Sequence, residues 1–273
     1  MTDKYCVIGH PVAHSKSPEI HAAYAAQTGQ DIRYERCLAP LDGFAETVQR
    51  LVAEGYRGAN VTVPFKLEAA RLATRLNERA RAAGAVNTLV FAHGEIVGDN
   101  TDGPGLMADI TRNAGVPIRG RRVLLLGAGG AARGALLPFV QEAPREIVIA
   151  NRTVPTAEAL VHDFAQVAGR HGVRLGAAGF DTVDGSFDIV VNATSSSLAG
   201  DLPPVPPGIF GPGALALDMM YGNQPTVFMD FAARHGAAVR DGLGMLVEQA
   251  AEAFAIWRGV RPDTAQVLRA MRP

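Results

Sequence analysis

The chain has 273 residues, 48% of them hydrophobic and 19% charged, with a formal net charge of −1. That composition supports a sizeable core in one large or two modest domains, and the balanced charge offers no electrostatic case for a nucleic acid or membrane-surface partner. No apolar run approaches the ~20 residues of a membrane span, and Met1 to Ile8 lacks the basic-then-apolar pattern of a signal peptide.

The first third alternates strand-like and helix-like stretches. Tyr5 to Gly9 is a short apolar run stopped by glycine. Pro18 to Gln27 reads as a helix, with Ser17 as its N-cap and Pro18 at its first position. Ile32 to Leu38 reads as a strand, Leu41 to Ala53 as an amphipathic helix, and Gly58 to Thr62 and Ala85 to Ala92 as further strands. This alternation predicts an α/β sheet with mostly parallel strands. Thr101-Asp-Gly-Pro introduces a helix through Asn113.

A second α/β series follows. Arg122 to Leu126 is a buried strand, Gly127 to Ala132 a tight turn, and a helix runs to about Gln141. Glu146 to Ala150, Phe187 to Val191 and Ala214 to Met219 read as strands, and Thr156 to Ala168 and Thr226 to His235 as helices. Asp201 to Gly213 is rich in Pro and Gly and reads as a loop. Met245 to Trp257 and Thr264 to Met271 close the chain as helices. The domains are expected at 1–101, completed by 242–273, and at 102–241.

Two features of composition bear on chemistry. The basic residues are 23 arginines and three lysines, Lys4, Lys16 and Lys66, so a lysine inside a polar motif invites a reason for not being arginine. Cys6 and Cys37 are too few for a disulfide framework and suit a reducing cytoplasm, where the protein is expected. The seven histidines show no ligand-like spacing, so no metal is expected.

Gly127-x-Gly129-x-x-Ala132 follows a strand and opens a helix, the context a dinucleotide fingerprint requires. Gly127 permits the tight turn, Gly129 lets the backbone approach a pyrophosphate, and Ala132 allows close helix–strand packing. Ala128, Gly130 and Ala131 complete the turn, whose free N–H groups and helix dipole suit phosphates. An NAD site usually places Asp or Glu at the end of the next strand to bond the ribose hydroxyl. Here that strand ends in Asn151-Arg152-Thr153, with a guanidinium for a 2′-phosphate, so the expected cofactor is NADP. An ordinary surface arginine is the competing reading of Arg152.

Other polar motifs lie at expected strand ends, where open α/β sheets build their sites. Ser15-Lys-Ser17-Pro18 places two hydroxyls before a helix; capping suits Ser17, and Ser15 is open between capping and carboxylate binding. Asn60-Val-Thr62-Val-Pro64-Phe-Lys66, Gly84-Ala-Val-Asn87-Thr88 and the polar loop Gly98 to Gly103 add amides, hydroxyls, a lysine and a carboxylate.

Taken together, these motifs resemble the shikimate dehydrogenase family of the biosynthetic AroE type, also called the shikimate/quinate dehydrogenase family. Asn192-Ala-Thr194-Ser195 and Gly242-x-Gly-Met245-Leu246-x-x-Gln249-Ala250 join them, in that family's order and over nearly the whole chain. The resemblance implies an N-terminal α/β substrate domain, a Rossmann-type NADP-binding domain, and C-terminal helices that return to the first domain. It implies NADPH-dependent, reversible reduction of 3-dehydroshikimate to shikimate, a step in chorismate and aromatic amino acid biosynthesis. By position, Lys66 and Asp102 would be the catalytic pair, Ser15 and Ser17 would bind the substrate carboxylate, and Thr62, Asn87 and Gln249 its hydroxyls. Tyr221 would also reach the substrate. Met219 and Gly242 would lie against the nicotinamide, Thr194 and Thr156 fall in the cofactor region, and Glu78 matches a position sometimes linked to the cofactor.

Three departures stand out. Val154-Pro155-Thr156 offers no second cation after Arg152, Tyr221-Gly-Asn replaces a usual Tyr-x-Pro, and Leu198 to Pro207 is irregular. Chemically, a ketone that accepts hydride develops alkoxide charge; lysine can supply charge and a proton there, whereas arginine cannot readily give one up. Hydride transfer requires the two ligands to meet, so a cleft between the domains that closes on them is expected. Alternatives are a quinate/shikimate dehydrogenase of broader specificity and a non-catalytic ligand sensor. A tetrahydrofolate-type dehydrogenase would not need Ser15-x-Ser17-Pro18. The oligomeric state is open, a homodimer being the assembly considered.

Overall fold

Short apolar runs that end in glycine or polar residues hand over to helices throughout the chain, and in the computed structural model, which describes residues 2–272, they assemble into two six-stranded sheets. The chain divides into a unit formed by residues 1–105 and 246–273 and a unit formed by 106–245.

The first unit holds β1 (Asp3–Gly9), β2 (Ile32–Leu38), β3 (Tyr56–Val61), β4 (Arg75–Leu76), β5 (Thr88–Ala92) and β6 (Glu95–Asp99), in the order β2-β1-β3-β5-β6-β4. β1 runs parallel to β2 and β3, but β5 is antiparallel to β3 and β6. β4 is parallel to β6, so five of the six strands run one way, as the expected mostly parallel sheet requires, and β5 alone is reversed. The reversal is a two-residue hairpin at His93-Gly94, both with positive φ (52° and 77°), the geometry whose twist matches flanking strands. Ala85 to Asn87 precede β5 and are not strand, and Gly98 and Asp99 belong to β6 and not to a loop.

Helices α1 (Ser17–Thr28), α2 (Phe44–Ala53), α3 (Lys66–Leu72), α4 (Glu78–Ala83) and α5 (Asp102–Ala108) intervene, the last continuing as a π-helical turn over Asp109–Asn113. Ser17 is the first helical residue of α1 and makes no side-chain cap; the residue before it is Lys16. The predicted cap at Ser17 is thus corrected. The Ser15 hydroxyl instead accepts from the Ser17 backbone N–H at 3.3 Å.

Two apolar clusters fill this unit. One joins Cys6, Ile8, Phe44, Leu51, Phe65 and Leu89, with Phe44 and Phe65 stacked at 5.0 Å. The other joins Ile20 and Tyr24 of α1 to Val247, Phe254 and Val267. Burying each such side chain is worth about 1.5–3 kcal/mol. The second cluster carries α9 (Leu243–Arg258) and α10 (Thr264–Met271), the C-terminal helices, onto the first unit. The Tyr24 hydroxyl, donated to the Val247 carbonyl at 2.8 Å, pins α9.

In the second unit β7 (Arg122–Leu126), β8 (Glu146–Ala150), β9 (Arg174–Ala178), β10 (Phe187–Asn192), β11 (Phe210–Asp218) and β12 (Ala238–Arg240) are all parallel. The order β9-β8-β7-β10-β11-β12 is 3-2-1-4-5-6 within the unit. Helices α6 (Gly130–Gln141), α7 (Val154–Arg170) and α8 (Val227–Arg234) connect the strands. β11 begins at Phe210, so the end of the predicted Asp201–Gly213 loop is strand, and Pro207–Ile209 form a 3-10 turn. Its core gathers Leu124, Leu126, Phe187, Val190, Ala216 and Phe228.

Candidate active site

The densest polar cluster in the first unit is built on Asn87. Its backbone N–H donates to the Asp99 carbonyl at 3.0 Å and its carbonyl accepts from Val61 N–H at 2.8 Å, so β3 and β6 brace it from both sides. The side chain is buried, 3% exposed, and is shared among several partners. Its amide nitrogen reaches Thr101 Oγ1 at 2.9 Å, Asp102 Oδ1 at 2.8 Å and Gln249 Oε1 at 3.3 Å. Its oxygen accepts from Thr101 N–H at 2.8 Å and the Thr88 hydroxyl at 2.9 Å.

Asp102 opens α5, and its other oxygen accepts from Lys66 Nζ at 2.6 Å. Lys66 opens α3, whose start is tied down by Val86 N–H donating to the Lys66 carbonyl at 2.9 Å. The side chains are 33% and 24% exposed, so the ammonium and carboxylate are held together while both remain reachable. The result is a fixed order, Gln249–Asn87–Asp102–Lys66, in which one amide orients a carboxylate and that carboxylate orients an ammonium. Gly105 permits α9 to come close, because a Cβ there would meet the Gln249 backbone nitrogen at 2.7 Å.

Ser15 and Ser17 lie at the start of α1, half-buried and buried respectively, with their hydroxyls 3.1 Å apart. Thr62 follows β3, half-buried, its N–H donated to the Ile8 carbonyl at 2.9 Å. Glu78 is exposed at the first position of α4, and no described contact links it to the Asn87 cluster.

In the second unit the turn after β7 has the geometry the glycines predict. Gly127 has φ +100°, a conformation L side chains rarely adopt, and a Cβ there would sit 3.0 Å from Thr194 Cγ2. Cβ atoms at Gly129 and Gly130 would meet nothing within 4 Å, and with Ala131 these residues are exposed at the start of α6, while Ala128 is half-buried. Bare backbone at a twelve-residue helix's N-terminus fits a pyrophosphate, which needs N–H donors and close approach. This turn and Thr194 lie after β7 and β10, the neighbours at which the strand order reverses. That crevice is where open α/β sheets bind ligands.

After β8, Asn151 Nδ2 donates to the Thr153 carbonyl at 2.9 Å and shapes the loop that presents an exposed Arg152. α7 starts at Val154, two residues before the predicted start, with Pro155 at an early position where its missing N–H costs nothing. Thr153 and Thr156 flank that start, both exposed. After β11, Met219 is buried and Tyr221 is 38% exposed. A Cβ at Gly242 would overlap the Met219 carbonyl, so only glycine fits there, and its N–H donates to the Met220 carbonyl at 2.9 Å.

Several supports were not singled out from sequence. Buried Asp218 accepts from Ser197 at 2.6 Å, Thr226 at 2.7 Å, Met220 N–H at 3.0 Å and Asn192 at 3.2 Å, fixing the ends of β10 and β11. In the first unit Arg36 clamps the Ser15 carbonyl through Nε at 3.0 Å and Nη2 at 2.6 Å. Thr101, quoted in its motif but given no role, holds the Asn87 amide. No group of His, Cys, Asp and Glu that could bind a metal occurs among the described residues. No helix among them is long and apolar enough to cross a membrane.

The strand order and the glycine turn place the second unit in the Rossmann class of dinucleotide-binding folds. Family models described as "Shikimate dehydrogenase substrate binding domain", "Shikimate / quinate 5-dehydrogenase" and "Shikimate 5'-dehydrogenase C-terminal domain" match residues 7–89, 109–199 and 242–272. The chain is 62% identical to the shikimate dehydrogenase (NADP(+)) of Herminiimonas arsenicoxydans, over 100% of this chain and 98% of that one. A crystal structure of an Ael1 enzyme from Pseudomonas putida is 50% identical with a TM-score of 0.94, covering 100% of this chain and 99% of the other. A shikimate 5-dehydrogenase (AroE) from Thermus thermophilus, solved with NADP(H) and shikimate, is 30% identical with a TM-score of 0.83, covering 98% of each chain. The chain belongs to the shikimate dehydrogenase family.

Proposed function

We propose that this protein catalyses the NADPH-dependent, reversible reduction of 3-dehydroshikimate to shikimate. The observation that carries the reading is the Lys66–Asp102–Asn87 relay, because it fixes an ammonium through an oriented carboxylate while leaving both side chains partly exposed to a substrate. Relatives of about 60% identity over the full chain bear the name shikimate dehydrogenase (NADP(+)).

Lys66 donates a proton to the oxygen that becomes the C–OH group and offsets its negative charge while it forms. Asp102 holds the ammonium in one orientation, and Asn87 holds Asp102. In the reverse direction Lys66 takes the proton from the hydroxyl. Ser15 and Ser17 bind the substrate carboxylate, and Thr62, Asn87 and Gln249 bond ring hydroxyls. NADP(H), when bound, supplies or accepts the hydride. Gly127, Ala128, Gly129, Gly130 and Ala131 would hold its pyrophosphate, Asn151, Arg152 and Thr153 its 2′-phosphate, and Thr194, Met219 and Gly242 its nicotinamide half. Thr156, at the start of α7, would offer the 2′-phosphate a further hydroxyl, whereas Glu78 carries a charge that repels it. Two free cysteines fit a cytoplasmic location.

Shikimate-dependent formation of NADPH, followed by absorbance, tests the reading. Comparable kcat/KM for quinate would favour the broader enzyme. Absence of activity with either acid, despite binding of both ligands, would favour a sensor.

A further inference from the structure

Strand β2 lies at the edge of the first sheet, and its side chains at 34 and 36 share one face. Arg36 on that face clamps the Ser15 carbonyl, as described. Tyr34 has no assigned part in the reaction, yet it stands at a junction. Its hydroxyl donates to Asn60 Oδ1 at 2.7 Å. The Asn60 amide donates in turn to the Asn87 carbonyl and to Thr88 Oγ1, both at 3.1 Å. Thr88 donates to the Asn87 side-chain oxygen at 2.9 Å, and Asn87 leads to Asp102 and Lys66. β2 thus touches both the serine loop, through Arg36, and the Asn87 cluster, through Tyr34.

We propose that Tyr34 is a positioning residue that ties β2, which holds the Ser15 carbonyl through Arg36, to the Asn87–Asp102–Lys66 relay, so that the groups binding the substrate carboxylate and the group delivering the proton are held in one frame. The inference rests on the function proposed above.

The setting of Tyr34 suits a fixed support. His21, one turn after Ser17 on α1, lies flat on the Tyr34 ring with centroids 4.1 Å apart and planes 8° apart. His21 is fully buried, and neither ring nitrogen is in hydrogen-bonding geometry with a partner. Its ring serves as an aromatic plate between Tyr34, Phe254 and Trp257. Asn60 is 5% exposed and uses both ends of its amide, so loss of the phenol would leave its oxygen without that donor in a buried place. The amide would then be free to shift, and with it the Asn87 side chain.

The test is a double-mutant cycle on the full chain with Tyr34→Phe and Asn60→Ala, measuring kcat, KM for shikimate and KM for NADP. Tyr34→Phe should lower kcat roughly tenfold and raise KM for shikimate severalfold. KM for NADP should stay within about twofold and the melting temperature within a few degrees. In the Asn60→Ala background the same substitution should cost little further kcat, because the chain is already cut. A kcat within about twofold of wild type for Tyr34→Phe would overturn the proposal. So would a loss that multiplies fully with that of Asn60→Ala, which would mark Tyr34 as general support. Should Tyr34→Phe be too unstable to assay, Asn60→Ala alone must show the kcat loss, and its absence overturns the proposal equally. Wild-type turnover of shikimate with NADP reports on the function itself, whereas variant-to-wild-type ratios report on Tyr34.

Discussion

The two units organise their polar chemistry in opposite ways. Around Asn87 the order is made by side chains: buried amides, hydroxyls and a carboxylate each hold the next, and the groups that would touch substrate are fixed beforehand. At the turn after β7 the order is made by backbone, and what matters is the lack of side chains at Gly127, Gly129 and Gly130. A site that handles a proton needs one atom held in one place, and a network does that. A site that grips a phosphate chain needs close approach and several N–H donors, and bare backbone does that.

The sharpest way to break this contrast is at the end of the network. Lys66→Ala should lower kcat by roughly 10²–10⁴-fold, and Lys66→Arg should be nearly as poor because charge is kept while proton transfer is lost. An arginine variant with most of its kcat would make Lys66 an electrostatic anchor. The backbone-built site should lose less from a side-chain deletion. Arg152→Ala removes a charge-assisted hydrogen bond of about 1.5–3 kcal/mol, so kcat/KM with NADP should fall roughly 10–100-fold while NAD is barely affected. Equal losses with both cofactors would mean that Arg152 supports its loop and does not read the phosphate.

The network also makes a prediction about stability. Burial holds the His21 imidazole at a pKa of about 3, against an ordinary 6.5. The unfolded chain therefore takes up the proton first as pH falls through about 6.5, and stability is lost from there downward. Between about pH 7 and pH 5 the wild type should lose about 2 kcal/mol more than His21→Phe. Chemical denaturation at both pH values checks this, and parallel losses would mean that His21 is protonated in the folded state. The smallest effect is expected at Ser15: Ser15→Ala should raise KM for shikimate about tenfold, from one lost bond to a carboxylate. Its melting temperature should move little, and unchanged kinetics would leave Ser15 only its contact with the Ser17 N–H.

How far the sequence was legible follows the same contrast. The glycine turn could be read directly, because tight turns and close approaches leave glycine as their mark. Lys66 stood out as a lysine among arginines, and its motif resembled a known family. Four strands went unread: β4 (Arg75–Leu76), β9 (Arg174–Ala178) and β12 (Ala238–Arg240) are short edge strands without a run of β-branched residues, and β6 (Glu95–Asp99) is an interior strand whose Gly98-Asp99 end reads as a polar loop. Helices α3 and α4, of seven and six residues, are too short for apolar periodicity to register. Ser17 carries the composition of a cap, but the chain turns into α1 one residue earlier. Tyr34 and Arg36 were missed for a different reason. Arg33-Tyr-Glu-Arg36 has the pattern of a solvated edge-strand face, and only the tertiary contacts with Asn60 and Ser15 reveal that this face holds the site.

On the proposed function, one chain carries both a proton-delivering relay for a hydroxylated ring acid and a site that reads the 2′-phosphate of NADP. The direct measurement is kcat/KM for shikimate with NADP and with NAD, and for quinate with NADP, on the same preparation. Robust turnover of shikimate with NADP is expected, with a clear but moderate loss with NAD because Arg152 acts without a second cation, and a large loss with quinate. Turnover of quinate equal to that of shikimate, or no preference for NADP, would contradict the proposed function.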